Sequence, residues 1–436
     1  MSLAKQGRPA HFVAWLIGER LVRGTVTIVA LAAVARHLAP ANFGVLNFAL
    51  AVVSLVTPLA QLGIDLILVR DLVRYPEKTG SLLGTSFALR LAAGIAVAAG
   101  LMLAVRFSSV VAGAQPALGP LSLILIAQAG EVADCWFRSR VQSRAVVLIR
   151  GSVIVGGAIF KLVLVSIGAG LVAFAWVYAI EAAAFVSGVA ICSRFVEGRA
   201  ERWRFDATVA AMLLREGIGF AAAGFIGALS IRIDQIAVAG TLGDAAAGLY
   251  YGALRLMEVP IFVASTTAAS LFPALAIVGD DPAMHQKLET IFGLMSAIAW
   301  ATAIGATIAG PWGVPLLFGE AYRAAWPVFV IHAWATLFLF SGLIRSNFLA
   351  LRSAPGTQAF AATLVLGIQV LLNLALVRRM GITGAATSFL LTQFVSAWLL
   401  PLLLPALRPC LLPQARSLLA PWQPRRWKEF IAAIYG

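Results

Sequence analysis

Residues 43–68 read FGVLNFALAVVSLVTPLAQLGIDLIL, and nearly every side chain in this run is apolar. An α-helix needs about 20 such residues to cross the hydrocarbon core of a bilayer. Similar runs flank it on both sides, separated only by short polar segments. About twelve spans are predicted, at residues 12–36, 43–68, 81–104, 117–137, 145–167, 171–192, 216–240, 247–275, 288–310, 325–350, 357–377 and 381–405.

The composition agrees with a chain that lies almost wholly within a membrane. Hydrophobic residues make up 61% and charged residues 12% of the sequence, and the mean hydropathy is +0.92. Soluble domains average about 25% charged residues. The predicted fold class is therefore an all-α polytopic membrane protein, with no segment large enough for a separate soluble domain.

The net charge of +14 reflects where the basic residues lie, because they fall mainly in the short loops between spans. With the N-terminus in the cytoplasm, about 21 of the 33 Lys and Arg residues lie on the inner side and about five on the outer side. This asymmetry predicts that both termini are cytoplasmic. It also argues against a nucleic acid as partner.

The most polar internal stretch, residues 193–215, divides the spans six and six. We predict an N-terminal lobe at 1–192, a cytoplasmic linker at 193–215, a C-terminal lobe at 216–405 and a cytoplasmic tail at 406–436. In the tail, Trp427, Phe430, Ile431 and Ile434 share one helical face beside basic residues, which is typical of a helix lying on the membrane surface. A frayed tail is the alternative.

An internal repeat relates the two lobes. VARHLAPANFGVLNFAL (34–50) aligns without gaps on VAGTLGDAAAGLYYGAL (238–254), matching Leu38 with Leu242 and Gly44 with Gly248. Both copies cover the end of a lobe's first span, the outer turn and the start of its second span. The same order in both copies predicts two pseudo-symmetric lobes around a central cavity.

Arginines inside the predicted spans form the candidate binding site. Each costs roughly 2.5–3.5 kcal/mol at a helix centre and so requires a partner or a wet cavity. A guanidinium matches phosphate oxygens with two parallel hydrogen bonds, which favours a diphosphate ligand. Alternatively, Glu19–Arg23 and Arg255–Glu258 are intrahelical pairs that neutralise themselves. The candidate diphosphate and glycan ligands are Arg20, Arg23, Arg232 and Arg255.

Carboxylates inside spans are candidates for coupling transport to protons or cations. Glu19, Asp234 and Glu258 lie beside the candidate arginines, whereas Glu131 and Asp134 lie on the fourth span. Each could equally be a charge partner of a neighbouring arginine. No catalytic residue, metal site or cofactor is predicted, because the three cysteines lack paired spacing and the chain has no GxxxxGK[ST] loop.

An ordered series of motifs resembles one known family, the bacterial oligosaccharide (Wzx-type) flippases for O-units and exopolysaccharides. The series begins with PANFGVLNFALAVVSLVTPLAQLGIDLILVRDLVR (40–74) and spans most of the chain. It continues with REGIGF (215–220), RIDQ (232–235), GLYYGALRL (248–256), LFPALA (271–276), LLFGEAY (316–322) and GITGAA (381–386).

The resemblance implies the fold of the multidrug/oligosaccharidyl-lipid/polysaccharide exporter superfamily (MATE-like) and alternating access. It implies a polyprenyl-diphosphate-linked oligosaccharide as substrate, the bacterial inner membrane as location and a role in lipopolysaccharide or other surface polysaccharide synthesis. Cavity arginines on the first and eighth spans of related lipid II flippases correspond by position to Arg20, Arg23 and Arg255. A polysaccharide polymerase and chain-length proteins are further implied partners.

Two other functions compete with this prediction. A multidrug exporter of the same superfamily would share the fold but should favour an aromatic and acidic cavity for organic cations. A membrane glycan polymerase or ligase should carry catalytic residues on a sizeable outer loop. The basic excess within the spans disfavours the exporter, and the short outer loops disfavour the enzyme.

Overall fold

The computed structural model of the chain describes residues 9–107, 113–140, 142–193, 202–271, 284–351 and 355–423. These residues form helices and short connections, and they contain no strand. Contacts between Cα atoms divide the chain into two compact units, Met1–Phe225 and Ile226–Gly436, which we call unit 1 and unit 2. The division lies C-terminal to the predicted linker.

Unit 1 begins with α1 (Pro9–Ala60), which bends at Ala39 and therefore supplies the first two predicted spans. Residues 61–64 then separate α1 from α2 (Asp65–Arg74), so the second span is broken rather than continuous as predicted. A 3₁₀ turn, Gln128–Glu131, likewise interrupts the fourth span. The other helices are α3 (Thr79–Ala104), α4 (Gln115–Ala127), α5 (Val132–Ser139), α6 (Ser143–Ser166) and α7 (Leu171–Ser193).

Unit 2 is built mainly from α8 to α13, and the division between the units falls inside α8. A 3₁₀ turn, Glu320–Ala325, precedes α11. The helices are α8 (Ala207–Leu242), α9 (Asp244–Ser270), α10 (Met284–Phe318), α11 (Trp326–Leu351), α12 (Pro355–Met380), α13 (Ile382–Leu403) and the short α14 (Arg408–Ser417).

Ten helices in the described part of the chain are long and apolar enough to cross a membrane. One of them, Val26–Arg74, contains the bend at Ala39 and covers two predicted spans. Helix α9 carries the charged residues Arg255 and Glu258 and is not among the ten. It nevertheless corresponds to the eighth predicted span. The helices therefore correspond to the twelve predicted spans.

The backbone supports the internal repeat. Ala39 and Gly243 occupy equivalent positions in the two aligned segments, and both have positive φ, 56° and 82°. Each residue ends the first span of its unit and lets the chain turn into the second. Gly168 and Gly381 have positive φ at the turns before the last spans of the two units. Equivalent turns at equivalent places indicate duplication of one helical unit.

The end of the predicted linker packs on α3. The Trp203 ring lies 5.5 Å from the Phe87 ring. Asp206 then caps α8, since its carboxylate accepts the N–H groups of Thr208 and Val209 at 2.8 and 3.3 Å. This cap explains why α8 begins before residue 216, where the span was predicted to start.

The C-terminal helix α14 packs on the rest of unit 2 through a buried arginine of α11. Arg345 of α11 is 4% exposed, and its Nη1 donates to Gln414 Oε1 of α14 at 2.6 Å. Gln414 Nε2 in turn donates to the carbonyl of Ala397 at 3.1 Å. The predicted surface helix at 422–436 lies outside the described residues, apart from Trp422 and Gln423.

Candidate functional site

Unit 2 brings together two of the four candidate arginines. Arg232 on α8 and Arg255 on α9 interact electrostatically with each other and with Glu258. Arg232 Nη1 donates to Gln235 Oε1 at 3.1 Å, and Arg255 Nη1 donates to Glu258 Oε1 at 2.5 Å. The hydrogen-bond partner of Arg232 is neutral, whereas Arg255 forms the intrahelical pair that the spacing suggested.

Tyr251 belongs to the same cluster, one turn before Arg255 on α9. Its side chain is 3% exposed and interacts electrostatically with Arg232 and Arg255. Its hydroxyl has no hydrogen-bond partner within the part of the chain that the structure describes. A buried hydroxyl without a partner costs roughly 1–3 kcal/mol. The cluster thus offers a polar atom that is suited to a ligand.

The other candidates on the first span lie where only the backbone is described. Glu19, Arg20 and Arg23 fall within helix α1, and their side chains are outside the described part. Their predicted roles in binding the diphosphate and in ion coupling therefore remain predictions.

Asp234 lies in a separate, buried hydrogen-bond network in unit 2. Its carboxylate accepts hydrogen bonds from Gln369 Nε2 at 2.9 Å and from Asn373 Nδ2 at 2.5 Å, both on α12. Asp234 is 4% exposed and makes no ion pair with any described residue. A carboxylate held in a membrane helix by neutral donors is costly, which makes it a functional candidate.

The network extends from Asp234 to a histidine through Tyr250. The Tyr250 hydroxyl interacts with the Asp234 carboxylate and lies 3.2 Å from His332 Nε2. His332 Nδ1 lies 2.9 Å from the carbonyl of Val328, which can only accept, so Nδ1 carries the proton and Nε2 accepts. Sequence reasoning missed these partners; Gln369 and Asn373, spaced i, i+4 within an apolar span, were the available signal.

The two carboxylates of the fourth span lie in unit 1. Asp134 Oδ2 is 3.3 Å from Arg138 Nε and 4.0 Å from Arg150 Nη2. Glu131 lies in the 3₁₀ turn and interacts electrostatically with Arg90 and Arg150. Asp134 is thus a charge partner of two arginines. The coupling role proposed for either carboxylate remains a prediction.

The fold is similar to those of solved multi-span membrane transporters. A MATE-family multidrug resistance transporter in its inward-facing conformation has a similar structure, with a TM-score of 0.69 at 12% identity over 92% of this chain and 96% of that one. The lipid II flippase MurJ, inward closed, has a TM-score of 0.61 at 11% identity, covering 94% and 92%. A MOP-superfamily transporter from Pyrococcus furiosus gives 0.59 at 14% identity, covering 93% of both chains.

The family is shown by a sequence match. A family model described as "Polysaccharide biosynthesis protein" matches residues 33–327. The chain therefore belongs to this polysaccharide biosynthesis family, as its resemblance to the oligosaccharide flippases predicted. No curated protein matches the chain in sequence.

Proposed function

We propose that this protein is a flippase that moves a polyprenyl-diphosphate-linked oligosaccharide from the inner to the outer leaflet of the bacterial inner membrane. The observation that carries the proposal is the cluster of Arg232, Arg255 and Tyr251 within unit 2 of a polysaccharide biosynthesis family member. Both termini are cytoplasmic in this proposal, as the positive-inside asymmetry predicts. A polysaccharide polymerase and chain-length proteins act after the flipped product.

The chemistry of the cluster fits a diphosphate better than an organic cation. The hydrogen-bond partner of Arg232 is a neutral amide, and the acid that acts on it, Glu258, is already paired with Arg255, so the cluster keeps an excess of positive charge for an anion. The pair of Arg255 with Glu258 is weak, because Glu258 is 59% exposed and an exposed ion pair contributes about 0–1 kcal/mol. A diphosphate can therefore displace Glu258, and the Tyr251 hydroxyl adds a donor beside it.

Transport requires the lipid-linked glycan to meet this cluster from one side of the membrane and leave on the other, which is alternating access. Arg20 and Arg23 supply further cations for the diphosphate in the proposal. Asp234, which neutral donors hold inside the membrane, is one of the intramembrane carboxylates that are candidates for ion coupling. The protein moves its substrate without changing a covalent bond, and no enzymatic step is proposed.

The proposal is tested in a deletion strain by measuring how the lipid-linked oligosaccharide distributes between the two leaflets. The strain is complemented with the wild type, with Arg255→Ala or with Arg323→Ala. Arg323 is a matched control because it also pairs with a glutamate three residues away, Glu320, at 2.7 Å, outside the cluster.

We expect the glycan to accumulate on the inner leaflet in the deletion strain and with Arg255→Ala, and to reach the outer leaflet with the wild type and Arg323→Ala. Normal distribution in the deletion strain, accompanied by sensitivity to cationic dyes, would refute the flippase and favour the multidrug exporter. Full rescue by Arg255→Ala would remove Arg255 from the site.

A further inference from the structure

Two neighbouring spans of unit 1 are irregular at places that contact each other. The second span breaks at residues 61–64, where Leu62 has a φ of 57°, a strained value for a bulky side chain. The fourth span changes to a 3₁₀ turn at Gln128–Glu131. Gln128 Nε2 lies 3.4 Å from Thr57 Oγ1, just before the break. Irregular backbone inside a membrane is tolerated where it is buried in protein or lines a polar site.

The break in the second span is packed closely against α8. A Cβ atom on Gly63 would lie 2.4 Å from the backbone nitrogen of Ala221, and one on Gly217 would lie 2.4 Å from the carbonyl oxygen of Leu62. These contacts leave no space for side chains at either glycine. The break is therefore a specific feature of the packing rather than a frayed helix end.

Arg90 of the third span lies beside the break, and it is almost completely buried at 1% exposure. Its Nη2 forms an ion pair with Asp65, which begins α2, and the thiol of Cys135 donates to the same Asp65 oxygen at 3.3 Å. Arg90 Nε and Nη1 find no hydrogen-bond acceptor among the residues that the structure describes. Leaving buried donors of a charged group unpaired is costly, so these two atoms point to a second partner.

Glu131 is the carboxylate best placed to be that partner. It makes no hydrogen bond or ion pair in the described part of the chain, although it interacts electrostatically with Arg90. The other intramembrane glutamate of unit 1, Glu181, is by contrast paired with Lys161 at 2.8 Å. Glu131 and the two unpaired donors of Arg90 are thus complementary groups that do not meet in this conformation.

Charged groups on neighbouring helices and on its own span act electrostatically on Glu131, and Arg138 of α5 is one of them. Arg150 of α6 and Asp65 of α2 interact electrostatically with Glu131 from other helices, and Asp134 does so from the same span as Glu131. Asp134 is already shared between Arg138 and Arg150. Helix α7 contributes the apolar side chain of Val186, which packs against Gly130. Arg90 is therefore the cation that can pair with Glu131 without first leaving Asp134.

We propose that Glu131 binds and releases a proton, and that Arg90 exchanges partners between Asp65 and Glu131 as it does so. With Glu131 protonated and neutral, Arg90 stays on Asp65, which is the arrangement in the structure. When Glu131 loses its proton to water, its carboxylate accepts Arg90 Nε and Nη1. Arg90 then holds Asp65 less strongly, and the start of α2 is released at the break. No covalent bond other than the O–H bond of Glu131 changes.

The exchange provides a proton-driven movement in unit 1. Its use in driving transport rests on the proposed flippase function, whereas the exchange itself needs no substrate. The exchange releases the start of α2 at the break in the second span. A continuous helix could not be released locally in this way.

A native reporter of this exchange is the thiol of Cys135, because its S–H group donates to Asp65. The infrared S–H stretch reports the strength of that hydrogen bond. The experiment uses the purified full chain in lipid nanodiscs with Cys192→Ser and Cys410→Ser, so that Cys135 is the single thiol. The band position is recorded from mildly acidic to mildly alkaline pH in the parent, Glu131→Gln, Glu131→Asp and the control Asp134→Asn.

We expect the parent band to move between two positions in a single-proton titration. Glu131→Gln should hold the band at its acidic position at every pH, whereas Glu131→Asp and Asp134→Asn should still titrate. A parent band that does not move, or a Glu131→Gln band that titrates like the parent, would overturn the proposal. A titrating switch in a protein that fails the leaflet assay would reject the flippase function alone.

Discussion

Two adjacent tyrosines on α9 allow a sharp test of the binding cluster, since they differ in what their hydroxyls contact. The Tyr250 hydroxyl lies 3.2 Å from His332 Nε2, whereas the Tyr251 hydroxyl is buried with no partner in the described part of the chain. Changing each to phenylalanine removes one oxygen atom and keeps the ring. The two changes should therefore have different effects on the stability of the fold, and only Tyr251→Phe should remove a hydrogen bond to the substrate.

Tyr251→Phe should leave the free energy of unfolding unchanged or raise it by up to about 1–3 kcal/mol, because a buried hydroxyl without a partner is removed. If that hydroxyl donates to the diphosphate, transport loses a hydrogen bond to a charged group, worth roughly 1.5–3 kcal/mol or about a ten- to hundredfold drop in rate at low substrate. Tyr250→Phe should lower the free energy of unfolding by about 1–3 kcal/mol, because it leaves His332 Nε2 without its hydrogen-bond partner.

The assay combines denaturant unfolding in detergent with leaflet-resolved flipping of the strain's own lipid-linked oligosaccharide. Binding of an isoprenyl diphosphate, compared with the corresponding monophosphate, separates recognition from transport. A Tyr251→Phe protein that flips and binds at the wild-type level would refute the assignment of Tyr251 to the site. A less stable Tyr251→Phe protein would show that the hydroxyl has an intramolecular partner, contrary to the reasoning.

Two further predictions concern the elements that position the sites. Gly63→Ala should destabilise the protein by roughly 1–3 kcal/mol through overpacking, because its Cβ would lie 2.4 Å from the backbone nitrogen of Ala221. Gly100→Ala, whose Cβ would have nothing within 4 Å, should be neutral or stabilising in the same unfolding assay. Backbone N–H groups of Val209 and Thr208 hold the pKa of Asp206 below its usual range. The contribution of ionised Asp206 to the stability of the fold is therefore fully present above its unfolded-state pKa, and it is lost as the pH falls through the folded-state pKa. Asp206→Asn should therefore flatten the acid side of the stability–pH curve, and an unchanged curve would contradict the cap's role.

The number and order of the helices could be predicted because membrane burial imposes a continuous apolar pattern. A helix in lipid must satisfy its backbone internally, so each span appears as one long run in the sequence. The turn at Ala39 was also predictable, since its counterpart at Gly243 lies at the same place in the internal repeat. For these features, the local sequence pattern and the physical constraints of the membrane predict the same structure.

The break before Asp65 could not be predicted in the same way. Residues 61–64 lie inside an apolar run, and the reason for the break is the close approach of Gly63 to Ala221 on a distant helix. The partners of Asp234 were missed for a related reason, since Gln369 lies 135 positions away in the chain. Sequence spacing reports contacts within one helix, whereas both features depend on contacts between helices.

Two polar groups inside the spans, the Asp234 carboxylate of unit 2 and the Arg90 guanidinium of unit 1, differ in how completely their hydrogen bonds are satisfied. The Asp234 carboxylate has a hydrogen-bond donor on each oxygen, so it is held rigidly in its present arrangement. Arg90 and Glu131 instead retain complementary groups that do not meet, and they lie where the second and fourth spans are irregular. A carboxylate with a donor on each oxygen resists rearrangement, whereas a buried guanidinium with two unpaired donors favours a second arrangement that pairs them. We therefore propose that movement driven by a proton begins in unit 1, whereas the Arg232–Arg255–Tyr251 cluster, the proposed diphosphate site, belongs to unit 2.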